Sequence, residues 1–113
     1  MALIDDKPRI LAALAAVWGV KKALPAWPKT WAELPCVVVT EAGNKPVDYR
    51  DDKIHVVELE YYVRVFTETA QERSTIASAV DDAMGALGYR RSFSWEEDGE
   101  GGRQKALRYK KLF

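Results

Sequence analysis

An α+β fold is predicted, with an antiparallel four-stranded sheet and two helices packed mainly on one face, in the order α-β-β-α-β-β. Three observations predict it. Two stretches repeat apolar residues at helical spacing, each behind a helix-start signal. Residues 54–66 alternate apolar and polar side chains along most of their length. After the second helical stretch, two more alternating segments flank the turn Asp98-Gly-Glu-Gly-Gly102.

The first helix is predicted from about Asp5 to about Trp18. Asp5 and Asp6 precede Pro8, so a carboxylate is available for the unpaired N–H groups of a first turn, where proline has none to lose. Ile10, Leu14, Val17 and Trp18, helped by Leu11, form its apolar stripe, and Gly19 ends it. Residues 20–35 hold Pro25, Pro28 and Pro35, which rule out one long helix. Thr30 and Glu33 have capping-box spacing, so a single helical turn is expected there. Trp27 and Trp31 in this stretch have two readings: they cover an edge of the core, or at least one anchors an interface.

Cys36-Val-Val-Val-Thr-Glu41 is a β-branched run between Pro35 and Gly43 and reads as a buried strand. Ala42 to Asp52, with Gly43, Asn44, Pro46, Asp51 and Asp52, reads as a loop too long for a tight hairpin turn. The next strand, Ile54 to Phe66, puts Val57, Leu59, Tyr61, Val63 and Val65 on one face, and pairs antiparallel with the Cys36 strand. Thr69-Ala-Gln-Glu72 is a capping box. Ile76, Val80, Ala83, Met84 and Leu87 make the second helix amphipathic, and Gly88 stops it. Residues 89–97 carry Phe93 and Trp95 on one side. Residues 103–113 return, with Leu107 and Tyr109 on that same side in the simplest register.

Length and composition bound the function. The 113 residues fit one domain, 1–113, with 48% hydrophobic residues for its core. The longest apolar run, Leu11 to Val20, is about half of the ~20 residues a bilayer span needs, so no membrane role is expected. Lys+Arg and Asp+Glu are 17 each, so the chain lacks the basic excess that drives nucleic-acid binding by counterion release. Near-zero net charge does little to keep copies apart, which suits an assembly. The first nine residues show no secretion signal, and a reducing interior is the expected compartment.

Candidate chemistry is sparse. Cys36 is the single cysteine and His55 the single histidine, so a cysteine-rich zinc site is excluded. The two imitate a nucleophile–base dyad, but a thiol in an apolar strand behaves as an inert hydrophobe. Glu96, Glu97, Asp98 and Glu100 lack the ligand spacing of an EF-hand loop. Arg90 and Arg91 beside Phe93 and Trp95 look like a basic-aromatic RNA surface without its motif, and leave a small nucleic-acid-binding domain as one alternative. Arg103, Lys105, Arg108, Lys110 and Lys111 make the last strand basic. Either it neutralises the acidic hairpin tip within one copy, or one copy's tip meets the next copy's basic strand.

Taken together, a short N-terminal helix, a Pro-rich stretch, Leu34-Pro-Cys-Val-Val-Val-Thr-Glu-Ala-Gly-Asn44 and a strand ending Tyr62-Val-Arg-Val-Phe66 form a familiar layout. A helix ending Ala83-Met-Gly-Ala-Leu-Gly-Tyr-Arg-Arg91, an acidic hairpin and the strand Lys105-Ala-Leu-Arg-Tyr-Lys110 complete it. This layout resembles the small tail-terminator or tail-completion (minor tail) proteins of long-tailed bacteriophages and prophages. The resemblance covers nearly the whole chain. It implies a ring, typically a hexamer, at the head-proximal end of the tail tube. That ring ends tube polymerisation and offers the head–tail joining surface, without cofactor or catalysis. The implied partners are further copies of the chain, the tail tube protein and a head–tail connector or neck protein, with unspecific DNA passing through the lumen. The implied location is the virion, and the host cytoplasm during assembly. A different head–tail connector, neck or tail-completion role is the alternative within this class. On this basis Trp27, Trp31, Asn44, Asp48, Tyr49, Arg50, Arg103, Arg108 and Lys110 are the candidate interface residues, with the Gly43–Asp52 loop facing the tube or lumen.

Overall fold

The computed structural model describes residues 4–27, 34–50, 53–99 and 102–113, and of 48–50, 53–55, 98–99 and 102–103 the backbone alone. The order is α1 (Lys7–Ala15), β1 (Lys22–Leu24), β2 (Cys36–Arg50), β3 (Lys53–Thr67), α2 (Ala70–Ala86), β4 (Arg90–Gly99) and β5 (Gly102–Leu112). The fold is α+β, as expected, but the sheet is five-stranded and mixed, in the order β1-β2-β3-β5-β4. The added strand, β1, runs parallel to β2, with Lys22, Ala23 and Leu24 opposite Cys36, Val37 and Val38. Three residues carry too little pattern to announce a strand. Their pairing follows from the chain reversal at Gly19 (φ +91°) and the bond from Lys21 N–H to Pro35 C=O (2.9 Å).

Helix α1 is shorter than predicted. Beyond Ala15 the N–H of Val17 turns to Leu14 C=O (3.1 Å), a tightened i→i+3 bond, and the helix does not resume. Ile10 and Leu14 are buried, whereas Trp18, expected on the apolar stripe, is 87% exposed. Asp5 caps as expected, its Oδ1 accepting from Lys7 N–H (3.1 Å). The neighbouring Asp6 turns inward instead.

Helix α2 follows the sequence closely. Thr69 accepts from Glu72 N–H (3.1 Å), and Arg73, Ile76, Ala77, Val80 and Met84 are buried. Its end is a Schellman motif: Tyr89 N–H reaches Met84 C=O (3.0 Å) and Gly88 N–H reaches Gly85 C=O (3.0 Å), with Gly88 at φ +92°. The expected helical turn at Thr30–Glu33 lies outside the described residues.

Both helices cover one face of the sheet. There Val37, Val39, Leu59, Tyr61, Val63, Val65, Leu107 and Tyr109 pack with Ile10, Leu14, Ile76, Val80 and Met84. Two corrections concern the other strands. The Ala42–Asp52 stretch is β-ladder as far as Arg50, which stands opposite Lys53. Register shifts at Glu41/Gly43, Pro46/Asp48 and Asp48/Tyr49 absorb Gly43, Pro46 and the extra residues that read as loop signals. In β4, Arg91 faces Tyr109 but Phe93 faces Arg108, so Ser92 is an extra residue. That bulge flips the pleat, and Phe93 and Trp95 lie on the face opposite Leu107 and Tyr109.

A buried polar knot ties α1 to the core. Tyr89 Oη donates to Asp6 Oδ2 (2.6 Å), Asp6 N–H donates to Tyr61 Oη (3.2 Å), and Arg9 Nε and Nη2 reach Asp6 Oδ1 and Oδ2 (both 2.8 Å). The hydrogen bond from Arg9 holds the Asp6 carboxyl below its ordinary pKa. Burial opposes it, and the Tyr89 bond adds to the lowering. A carboxyl lowered on folding stabilises the fold above the unfolded pKa of about 4, and that contribution is lost as pH falls below it. Asp6→Ala leaves a buried tyrosine hydroxyl without its acceptor, at an expected cost of about 1–3 kcal/mol. Urea unfolding at pH 7 measures the loss. The same titration at pH 3 should show the wild type and the variant closer together.

Candidate functional site

The sheet face away from the helices carries the candidate site. Open-face positions of β3, β5 and β4 read Phe66, Arg64, Tyr62, Glu60; Gln104, Ala106, Arg108, Lys110; and Glu97, Trp95, Phe93, Arg90. At one corner Cys36, Val38 and Phe66 form a small second core under Leu24 and Leu34. Trp27 meets Phe66 edge-on (5.5 Å between centroids) and is half exposed, so it covers a core edge and also presents surface.

From this corner a stripe of alternating rings and guanidinium groups crosses the sheet. Arg64 lies over both Trp27 (5.2 Å) and Tyr62 (4.9 Å), and Arg108 also lies over the Tyr62 ring (6.0 Å). Trp95 meets Tyr62 edge-on (5.9 Å), and Phe93, 59% exposed, leans on Trp95 (5.5 Å). Stacking suits a weakly hydrated guanidinium, which keeps its charge while lying on a ring.

Glu60 sits in this stripe and is almost buried. Arg108 Nε donates to its Oε2 (2.9 Å), Arg108 Nη2 bonds the same oxygen, and Lys110 Nζ stands 3.4 Å from Oε1. Burial pushes this carboxyl up, but the bonds from Arg108 and Lys110 outweigh it and leave the pKa lowered. Arg108 and Lys110 are therefore partners of a buried carboxylate. Reversing their charges would strand Glu60 and damage folding as well as any interface.

The second feature is an arm. Val57 exchanges backbone bonds with Phe113 (3.0 and 2.8 Å), and beyond it β3 pairs with β2 only. This two-stranded ribbon continues for roughly 13 Å past the sheet, at ~3.3 Å per residue. It helps give the molecule its 52 Å long axis. The backbones of Asp48, Tyr49 and Arg50 lie on the arm, while their side chains fall outside the description. Asn44 stands at its root and binds inward, to Ile4 C=O (2.9 Å) and Glu41 Oε1 (3.1 Å).

The candidate residues therefore separate into two groups. Trp27, Arg108 and Lys110 are on the open face; Asn44, Asp48, Tyr49 and Arg50 follow the arm. Arg103 is placed by its backbone at the start of β5, and Trp31 lies outside the described residues. Arg64, Tyr62 and Glu60 were not singled out in the sequence, where alternation of Tyr62 and Arg64 opposite an apolar face was the available signal.

The basic strand splits by pleat. Lys105 pairs with Glu96 (3.5 Å) on the helix side, where Glu96 also meets Arg73 (3.1 Å). That is the in-hairpin neutralisation. Cys36 stands opposite Phe66, and His55 is eleven positions further along β3, which makes a dyad impossible over roughly 36 Å. Burial alone raises the Cys36 thiol to about 11. Among the described residues no group of three or more His, Cys, Asp and Glu side chains is arranged to hold a metal ion, and no helix is long and apolar enough to cross a membrane. No protein-family model matches the chain, and no curated protein matches it significantly.

Two measurements test this geometry. Phe93→Ser should change unfolding stability by no more than about 0.5 kcal/mol, because its ring is mostly in solvent. Leu107→Ala, one pleat away, should cost about 2–5 kcal/mol. Cys36 should react with a thiol reagent at pH 8 only when denaturant unfolds the chain.

Proposed function

We propose that this protein is a virion structural subunit that forms a ring at the head-proximal end of a phage tail tube, where it ends tube polymerisation and presents the head–tail joining surface. The reading starts from the resemblance in sequence layout. The observation in the structure that supports it best is the pairing of an arm with a broad exposed sheet face on one small domain. A ring subunit needs surfaces in two directions, toward its neighbours and toward the tube. A two-stranded ribbon is marginally stable alone, and it gains from lying against a partner. The arm is therefore assigned to the tube, and the open face to the ring. No catalytic step and no cofactor enter this reading.

The aromatic and arginine-rich face also favours a second reading, a small domain for single-stranded nucleic acid, in which rings stack on bases and cations follow the backbone. The chain's zero net charge and the carboxylate of Glu60 within the stripe weigh against it.

Addition of the protein to the polymerising tail tube protein of the same phage should shorten the tubes and place extra density on one end in electron micrographs. Replacing residues 47–56 by a two-residue Asn-Gly turn, which is closed by the existing Pro46–Val57 pair, should leave the melting temperature of the domain nearly unchanged and abolish end binding. Tubes of unchanged length and bare ends with the intact protein would defeat the terminator role. Binding to head connectors and not to tubes would support a neck protein instead.

A further inference from the structure

The open sheet face carries Lys22, Lys45, Arg64, Arg90, Arg108 and Lys110, against Glu58, Glu60 and Glu97. Lys45 stands near Glu58, and Arg108 and Lys110 hold Glu60. Arg64 and Arg90 have no carboxylate partner among the described residues. On the opposite side of the molecule the outer surface of α2 has the reverse character. Glu68, Glu72, Asp81 and Asp82 lie along it, and the one cation of the helix, Arg73, is buried beneath it. Asp81 is answered by Arg91 (3.4 Å), whereas Glu68 and Asp82 have no cationic partner among the described residues. Between Glu72 and Asp82 the exposed helix surface is made of small residues, Ser74, Thr75 and Ser78, and beyond Asp82 it continues with Gly85 and Ala86, with open space around Gly85.

The dimensions correspond. Arg64 and Arg90 are about 13 Å apart along the strands and about 10 Å across them, hence roughly 16 Å. Glu72 and Asp82 are separated by about 15 Å of helix. The projecting Phe93 ring stands near this basic pair, and the small residues of α2 offer it a place to lie.

We propose that the open sheet face of one copy docks on the outer face of α2 in the next copy, with Arg64 and Arg90 opposite the α2 carboxylates and Phe93 against the small residues. Charge selects this head-to-tail arrangement over the symmetric ones. Sheet face on sheet face would oppose arginines, and α2 on α2 would oppose carboxylates. A contact between two different faces repeats from copy to copy and closes when its rotation closes. The assignment rests on the ring reading above for closure, and it adds the identity of the two surfaces.

A pair of charge reversals tests it. One variant carries Arg64→Glu and Arg90→Glu, the other Glu72→Lys and Asp82→Lys. Each should remain monomeric by light scattering at concentrations where the wild type assembles, because each opposes like charges at every contact. A 1:1 mixture restores attraction at both kinds of contact and should return to the wild-type mass. Should Arg64→Glu lower the melting temperature, Arg90→Glu with Asp82→Lys, both at exposed positions, repeats the test. A variant that alone keeps the wild-type mass, or a mixture of folded variants that stays monomeric, would overturn the docking and leave the ring reading standing. A wild type that is monomeric alone and on tubes would overturn both. If it then bound a labelled single-stranded oligonucleotide, with affinity falling steeply as salt rises, the face would be assigned to nucleic acid.

Discussion

Strand β3 is the constraint on which the other elements depend. It is hydrogen-bonded to β2 on one side and β5 on the other, so its pleat dictates which side chains of both neighbours face the helices. Val57, Leu59, Tyr61, Val63 and Val65 point to α1 and α2 and are buried there. The intervening Glu60, Tyr62 and Arg64 are thereby committed to the other face. One alternation thus produces both the core and the open face with its rings and guanidinium groups.

Among the described residues each face keeps one nearly buried carboxylate, and each is held in the same manner. Asp6 answers Arg9 and Tyr89 on the helix side; Glu60 answers Arg108 and Lys110 on the open side. Burial raises the energy of an ion, and close charge-assisted bonds restore it. The two differ in what they organise. Asp6 docks the N-terminal helix on Tyr61 and Tyr89, elements far apart in sequence. Glu60 organises the open face, because it fixes Arg108 beside Tyr62 and so helps to align the ring-and-guanidinium stripe.

A surface of this kind is suited to assembly in physical terms. Arginines stacked on rings lose little rotamer freedom on binding and carry charge without a tight hydration shell. Trp27 and Phe93 leave substantial apolar area in solvent, and such residues are enriched where partners meet. The arm extends the surface in a second direction without enlarging the core. Net charge is zero, while cations outnumber carboxylates on the open face and carboxylates predominate on the outer face of α2.

The sequence by itself determined the helices, the central strand and the core face. The Thr69–Glu72 capping box, Gly88 and the 54–66 alternation are local signals, and short-range hydrogen bonding and burial period enforce them. Tertiary structure decided the rest. β1 exists only because β2 lies beside it, and three residues hold no pattern of their own. Gly43 and Pro46 mark a loop in isolation, but bulges accommodate them once fifteen-residue β3 supplies a template, so the expected loop is an arm. The extra residue Ser92 transfers Phe93 and Trp95 to the open face, and strict alternation cannot reveal a bulge. The candidate residues were legible as residue types, while their division between face and arm was not. That division depends on strand register, which is set by pairing between segments distant in the chain.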